Sequence, residues 1–146
     1  VILPDLNLLL YAYNPRVPQH AVAHAWWTQT ISDTEMIGLP HEVSLGFIRI
    51  ATNRRLGAAA VDLATARETV ELWLGLPHVR VLLPGPTHFL RVLDLMEAAR
   101  VTGATLSDAI LAAHAIENRA TLFSNDADFS RFPGLRWHNP LAGLHG

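Results

Sequence analysis

The chain predicts a three-layer α/β/α fold built on a central, mainly parallel sheet of about five strands. Short apolar runs suited to strands alternate with longer stretches of helical periodicity, and that alternation implies a parallel sheet covered on both faces. With 146 residues, half of them hydrophobic, the chain fits one compact domain spanning 1–146 with a sizeable core. No internal repeat, low-complexity tract or linker interrupts the pattern.

Val1 to Pro4 is a short apolar run that reads as a central strand. Asn7 to Tyr13 follows as a short helix stopped by Asn14-Pro15, because the residue before a proline avoids helical geometry. Pro18 to Ile31 has helical spacing, with Val22, Ala25, Trp26 and Gln29 on one expected face. Glu35 to Leu39 reads as a second strand. Pro40 suits the first turn of the next helix, which carries Glu42, Leu45, Phe47, Ile48 and Ile50 until Asn53 to Gly57 break it. A longer amphipathic helix is expected from Ala58 to Leu74, with Val61, Ala64, Thr65, Glu68 and Leu72 recurring on its faces. It ends near Gly75-Leu76-Pro77.

Val79 to Leu83 reads as a third strand, closed by Pro84-Gly85-Pro86. Helix is expected from Thr87 to Arg100, then a turn at Thr102-Gly103-Ala104. An alanine-rich helix follows from Leu106 to Arg119, and its Ala109, Ala112, Ala113 and Ile116 permit close packing on the sheet. Thr121 to Ser124 is a fourth strand, Asp126 to Phe132 a loop or single helical turn, and Leu135 to His138 a fifth strand at the sheet's edge.

Composition removes several chemistries. All eleven basic residues are arginine, which excludes a lysine nucleophile, a Schiff base or the lysine of a phosphate-binding loop. The absence of cysteine excludes disulfides, thiolate zinc and thiol chemistry and fits a reducing compartment, so the cytoplasm is the expected location. No apolar run approaches a membrane span, and no basic start precedes an apolar stretch as in a signal peptide. A formal net charge of -2 argues against capture of nucleic acid by the whole surface. Any RNA contact must be local. Arg49, Arg54 and Arg55 cluster, and Arg119 and Arg131 flank the C-terminal acidic stretch. Their guanidinium groups suit bidentate phosphate recognition, or they are simply solvated helix ends.

Asp5, Glu42, Asp108 and Asp126 lie far apart in sequence, yet each falls where a strand gives way to a helix or in a helix's first turn. In open parallel sheets those places gather at the carboxyl ends of the strands, where ligands bind. Carboxylates brought close repel one another and hold protons unless a cation neutralises them. A hard divalent ion with oxygen ligands, Mg2+ or Mn2+, is the natural partner, and an all-carboxylate, cysteine-free set argues against zinc. Such an ion activates water and stabilises charge on a phosphodiester. Each acid also has a simpler reading: Asp5 as a helix cap, Glu42 and Asp108 as partners of a helix dipole, Asp126 as a turn residue. Asp128 either ligates through water or a second ion, or caps the Phe129 turn, and a supporting role is expected of it.

Other constellations fail on spacing. His41-Glu42 begins like a zinc-protease helix, but Leu45 stands where the second histidine is needed. His20 and His24 are four apart without a third ligand nearby, and His114 reads as a partly buried packing residue. Trp26, Trp27, Trp73 and Trp137 are expected to pack in the core or at an interface rather than stack on bases.

The order and setting of the acids resemble the PIN-domain nucleases, and in detail the VapC toxins of bacterial type II toxin–antitoxin modules. The carrying segments are Pro4-Asp5-Leu6-Asn7; His41-Glu42-Val43 with Arg49 seven residues on; Ser107-Asp108-Ala109-Ile110-Leu111-Ala112-Ala113-His114; and Ser124-Asn125-Asp126-Ala127-Asp128-Phe129. The resemblance implies that Asp5, Glu42, Asp108 and Asp126 form a catalytic quartet binding Mg2+ or Mn2+, often joined by Asp128, with Asn7 and Ser124 supporting it by hydrogen bonds. Arg49, two turns beyond Glu42 on nearly the same face, is expected to pair with it or to contact phosphate. An endoribonuclease acting on cellular RNA follows, with a homodimer and a small antitoxin that occludes the site. The alternatives are a PIN domain in RNA processing and a non-catalytic Mg2+-binding module; a receiver-like pocket would need a lysine, which the chain lacks. The stretch from Thr52 to Thr102 matches least, and the target RNA stays unspecified.

Overall fold

A computed structural model describes residues 1–142. Strands β1 (Ile2–Pro4), β2 (Ile37–Pro40), β3 (Val79–Leu82), β4 (Thr121–Phe123) and β5 (Arg136–His138) form one sheet in the order β3-β2-β1-β4-β5. Every pairing is parallel, with Leu3 beside Leu122, Ile2 beside Ile37, and Leu122 beside Trp137. β1 and β2 are buried along their whole length, as expected of strands covered on both faces. The chain runs outward from β1 through β2 to β3, then returns to add β4 on β1's other side. The sheet therefore reverses direction at β1, directly before Asp5.

The helices are α1 (Leu6–Ala12), α2 (His20–Ser32), α3 (His41–Ala51), α4 (Leu63–Leu74), α5 (His88–Ala99) and α6 (Leu106–Glu117), with 3-10 turns at Arg54–Ala59, Gly103–Thr105 and Ala127–Arg131. α1 packs on α2 and α3, α3 on α4, and α5 on α6. Right-handed crossovers place the first group on one face of the sheet and the α5–α6 pair on the other. Among the described residues no helix is long and apolar enough to cross a membrane.

The core joins Leu3, Ile37, Leu39 and Leu122 of the sheet to Leu8, Leu9, Val43 and an aromatic group on the α1–α4 side. Trp73 meets Trp27 edge-on at 5.5 Å and Phe47 at 4.9 Å, and its indole Nε1 donates to the Tyr13 hydroxyl at 2.9 Å. On the opposite face, Ala109, Ala112, Ala113 and Ala115 of α6 are fully buried, so the helix lies close against the strands. Gly46 of α3 does the same against α1: a Cβ there would stand 2.7 Å from Leu6 Cδ2.

Three expectations about helices are corrected. The helix expected from Ala58 begins at Leu63, because Asp62 caps it by accepting from the Thr65 amide at 2.8 Å, and Gly57 (φ 59) and extended Ala60 hold the preceding residues out of line. Its buried face is Ala66, Val70 and Trp73, while Ala64, Thr65, Glu68 and Leu72 face solvent. In α2 the buried set is Ala23, Trp27 and Thr30; Val22 and Trp26 are half-buried, and Ala25 and Gln29 are exposed. In both helices Trp27 or Trp73 fixes the rotation, because the largest apolar surface gains most from leaving water.

This rotation of α4 separates two neighbouring side chains. Trp73→Ala is expected to cost ~3–5 kcal/mol, the penalty for emptying a large core site. Leu72→Ala should stay within ~0.5 kcal/mol. Urea unfolding of the two variants beside the parent measures both, and equal losses would show that the face has been assigned wrongly.

Candidate active site

Asp5 follows β1 directly. Its amide donates to the Phe123 carbonyl of β4 at 2.8 Å, which extends the β1–β4 ladder into the residue itself. It occupies the N-cap position of α1 with extended backbone (φ -69, ψ 145), but its side chain makes no capping bond. Instead the Ser124 hydroxyl donates to Asp5 Oδ2 at 2.7 Å. The carboxyl is 7% exposed. Burial pushes its pKa above the usual carboxylate range; the Ser124 bond and the amides of Asn7 and Leu6 oppose this, and repulsion from Asp126 adds to it.

Ser124 stands at the end of β4 and serves two acids, since its Oγ also accepts from the Asp126 amide at 3.0 Å. Asp126 then turns the chain: its Oδ1 accepts from the Asp128 amide at 2.9 Å, capping the Ala127–Arg131 turn. The turn role weighed for Asp126 is therefore present in the structure. Asp128 is exposed and lies 3.6 Å from Arg131. Asp108, in the first turn of α6, is half-buried. Its pKa is raised to about 6, first by burial and then by the charges of Asp5, Asp126 and Asp128. The three other aspartates thus stand near enough to act on it, although Asp5 lies about a hundred residues away in sequence.

Glu42, in the first turn of α3, enters the same cleft from the other side. The cleft holds about 250 Å³ and is lined by Asp5, Asn7, Glu42, Arg49, Ser107 and Asp108 among others. Asp126 and Asp128 do not line it; they act on it through charge. Among the described residues, no three His, Asp or Glu side chains already stand as a closed ligand set. Arg49 is exposed on the cleft wall and makes no ion pair with Glu42. The expected pairing is not formed, because the Glu42 carboxylate faces the other way, toward His114. Asn7 is exposed at the rim and its side chain bonds none of the acids; only its amide acts on Asp5.

His114 is the residue that sequence reasoning undervalued. It is 1% exposed, not partly buried, and its Nε2 lies 3.7 Å from Glu42 Oε2. A single imidazole in the otherwise alanine-rich face of α6, less than two turns past Asp108, was the available signal. His20 and His24 hold the end of α1, their Nδ1 atoms donating to the Tyr11 and Ala12 carbonyls at 2.9 and 3.2 Å, and among the described residues no third ligand joins them.

Comparison with known proteins places this architecture. The PIN domain family model matches residues 2–135. Ribonuclease VapC33 of Mycobacterium tuberculosis is 43% identical over 141 residues, covering 97% of this chain and 99% of that protein. VapC ribonuclease Mb2897 of Mycobacterium bovis is 37% identical, covering 95% of each. Among solved structures, Mycobacterium tuberculosis VapC20, described as a sarcin-ricin loop cleaving toxin, superposes with a TM-score of 0.67 at 19% identity over 93% of this chain and 99% of that one. VapBC2 from Rickettsia felis bound to a promoter DNA fragment gives 0.67 at 16% identity, over 94% and 97%. The sheet order, the helices on both its faces and the near full-length matches agree: the chain belongs to the PIN-domain family, among its VapC-like members.

Proposed function

We propose that this protein is a Mg2+- or Mn2+-dependent endoribonuclease, a single domain over 1–146 that acts as the toxin of a toxin–antitoxin pair. The carrying observation is Asp5. A carboxylate at an N-cap position is ordinarily exposed and spent on the helix amides; this one is buried, bonded instead to Ser124 at the end of another strand, and set beside Asp108 and Asp126, and both it and Asp108 are held above the usual carboxylate range. An arrangement that costs the fold free energy calls for a ligand that repays it. The relatives named as ribonucleases support the activity, and the VapBC complexes support a VapB-like antitoxin partner.

The donor set fits a hard divalent cation. It offers only oxygen at the cleft floor, and Mg2+ keeps several waters while taking one or two carboxylates directly, so a closed cage of protein ligands is not required. Asp5 and Asp108 would hold it, with Glu42 opposite and Asp126 and Asp128 contributing charge from the turn beside the cleft. When bound, the ion activates the attacking water and stabilises charge on the scissile phosphate. The protein's own groups do the rest. Ser124 locks the Asp5 rotamer and aligns Asp126 with it. Arg49, unpaired with Glu42 on the cleft wall, contacts a phosphate of the RNA backbone, which matches the local capture that a chain of net charge -2 demands.

The surface supplies a partner argument. Of the tryptophans expected in the core or at an interface, Trp27 and Trp73 are in the core at 2% exposure. Exposed apolar side chains include Leu63, Leu72 and Leu74 on α4, the helix that carries Trp73, and Leu83, Phe89, Leu90, Leu93 and Leu106 around α5 and the start of α6. Two such areas suit a second copy of the chain and an antitoxin helix.

Three outcomes test this reading. The raised carboxyls imply a pH dependence: the metal-free fold keeps a proton on Asp108 up to about 6, whereas an unshifted carboxyl loses it near 3.8. The contribution of Asp108 to stability should therefore be greatest below that lower value and fall as pH rises to about 6, then level off. Asp108→Asn should flatten this fall, match or exceed the parent's stability at neutral pH in chelator, and lose the gain of about 1 kcal/mol that about 10 mM Mg2+ gives the parent. Calorimetric melts across pH, with and without Mg2+, measure all three; equal Mg2+ stabilisation of both proteins argues against a shared ion.

In cleavage assays, the purified protein should cut RNA internally with Mg2+ or Mn2+ and stop in chelator. Asp5→Asn, Glu42→Gln, Asp108→Asn and Asp126→Asn should each lose about a hundredfold or more, and Asp128→Asn less. Sequencing the cut ends from tRNA, rRNA and mRNA fragments identifies the target. Cleavage that survives chelation or all four substitutions belongs to a contaminant.

Sedimentation of the isolated chain should show a dimer, and co-expression with the product of a neighbouring short gene should abolish cleavage. A monomer at tens of micromolar that binds no such product leaves the nuclease and removes the toxin.

A further inference from the structure

His114 lies almost wholly inside the protein, yet neither ring nitrogen has a hydrogen-bond partner. Its neighbours on α6 are Ala112, Ala113 and Ala115, all fully buried. A leucine would fill such a site without leaving two polar atoms unsatisfied, so packing does not account for an imidazole here. Nε2 faces Glu42, 3.7 Å from its Oε2. That separation is too long for a hydrogen bond. It is short enough for one rotation of Glu42 to close, and Glu42, with a side chain 47% exposed, has the room to make it.

His114 itself cannot move to meet the carboxylate. Its ring packs against that of His88 with centroids 4.4 Å apart. His88 is held in turn, its Nδ1 lying 2.5 Å from Glu117 Oε1, and Arg91 reaches the other Glu117 oxygen at 4.0 Å. Glu117 sits one turn beyond His114 on the same helix. The cluster braces the imidazole from behind and leaves Nε2 facing the one acid within reach. Burial, then His88, holds His114 below its ordinary pKa against the opposing pull of Glu42 and Glu117. A neutral ring has one N–H to place, and a carboxylate is the acceptor that faces it.

We infer that His114 is a positioning residue for the acidic site: its Nε2–H donates to Oε2 of Glu42 once a rotation of that side chain closes the remaining gap, fixing the carboxylate's direction at the cleft wall. The inference rests on the reading of the cleft as a divalent-cation site. It adds a shell behind the acids: α5 and α6 meet at His88 and His114, and through them the packing of that helix pair sets the aim of a side chain carried on α3. Partners of this kind that orient a metal-binding side chain are worth roughly 10–100-fold in metal affinity.

The test compares the parent with His114→Leu, His114→Gln, Glu42→Gln and the Glu42→Gln/His114→Leu double variant. Calorimetric titration with Mn2+, RNA cleavage, and melting temperature in EDTA are read on each. His114→Leu should bind Mn2+ and cleave at least about tenfold more weakly while melting in EDTA no lower than the parent, because it removes two unsatisfied polar atoms. His114→Gln, which can place an N–H near the same point, should recover most of the loss. Adding His114→Leu to Glu42→Gln should cost nothing further, the non-additivity of a pair acting as one unit. A merely structural role would lower the melting temperature and act equally in both backgrounds. Parent-like Mn2+ affinity in His114→Leu, alongside its loss in Asp108→Asn, overturns the inference and spares the metal site. A parent that binds no Mn2+ and cuts no RNA overturns both. If His114→Leu does not fold, the histidine 15N spectrum of the metal-free parent decides: a proton on Nε2 whose shift responds to Glu42→Gln supports the inference, and a proton on Nδ1 overturns it.

Discussion

The hydrogen bond from Ser124 to Asp5 ties the site to the sheet. It joins the ends of β1 and β4, two neighbouring strands separated by more than a hundred residues of chain, and it does so inside the protein, where an unpaired carboxyl would be costly. The other aspartates are placed relative to this bond. Asp126 follows from Ser124 through its amide, Asp128 follows from Asp126 through the next, and Asp108 is delivered by an alanine-faced helix that packs close to β4. Glu42 alone arrives independently, on α3, and the gap left by the absent side chain of Gly46 lets that helix close on α1 beside Asp5.

Electrostatics and packing are opposed here. The apolar interior on both faces of the sheet holds the strand ends so close that aspartates repel, and the raised carboxyls are the record of that strain. A protein selected only for stability would leave the carboxyl of Asp5 in solvent and place an uncharged residue at position 108. Both departures lie at the reversal point of the sheet, the crevice where parallel α/β folds bind ligands. Large aromatic burial around Trp27, Phe47 and Trp73 offsets the cost from a distance, without touching the cleft.

The parallel sheet was legible because its strands are short, apolar and separated by helical stretches, and strand-end position put Asp5 and Asp126 at one edge of it; Asp108, expected in a helix's first turn, is brought there by the packing of α6. Helix rotation was harder to read. In α2 the adjacent Trp26 and Trp27 fit two faces equally well, and only the meeting of Trp27 with Trp73, from another helix, chooses between them. The start of α4 depended on Asp62 rather than on the helix-favouring alanines before it, which Gly57 diverts. Side-chain direction was least accessible. Seven-residue spacing put Arg49 and Glu42 on one face, but Glu42 turns toward a histidine on the far side of the sheet, and nothing in the local sequence of α3 encodes that neighbour.

The amide of Asp5 donates into the sheet rather than into solvent or a helix turn. Its proton can exchange with water only when β1 and β4 separate, an opening that exposes the middle of the core and so approaches global unfolding. The first carboxylate of the cleft thus shares the lifetime of the fold. Asp128, on an exposed 3-10 turn, and Glu42, on a half-exposed rotamer, have no such tether. The cleft therefore combines a floor that is renewed only when the protein unfolds with walls that rearrange on the nanosecond scale of surface side chains, so its rim can change shape while the carboxylate of Asp5 stays where the sheet put it.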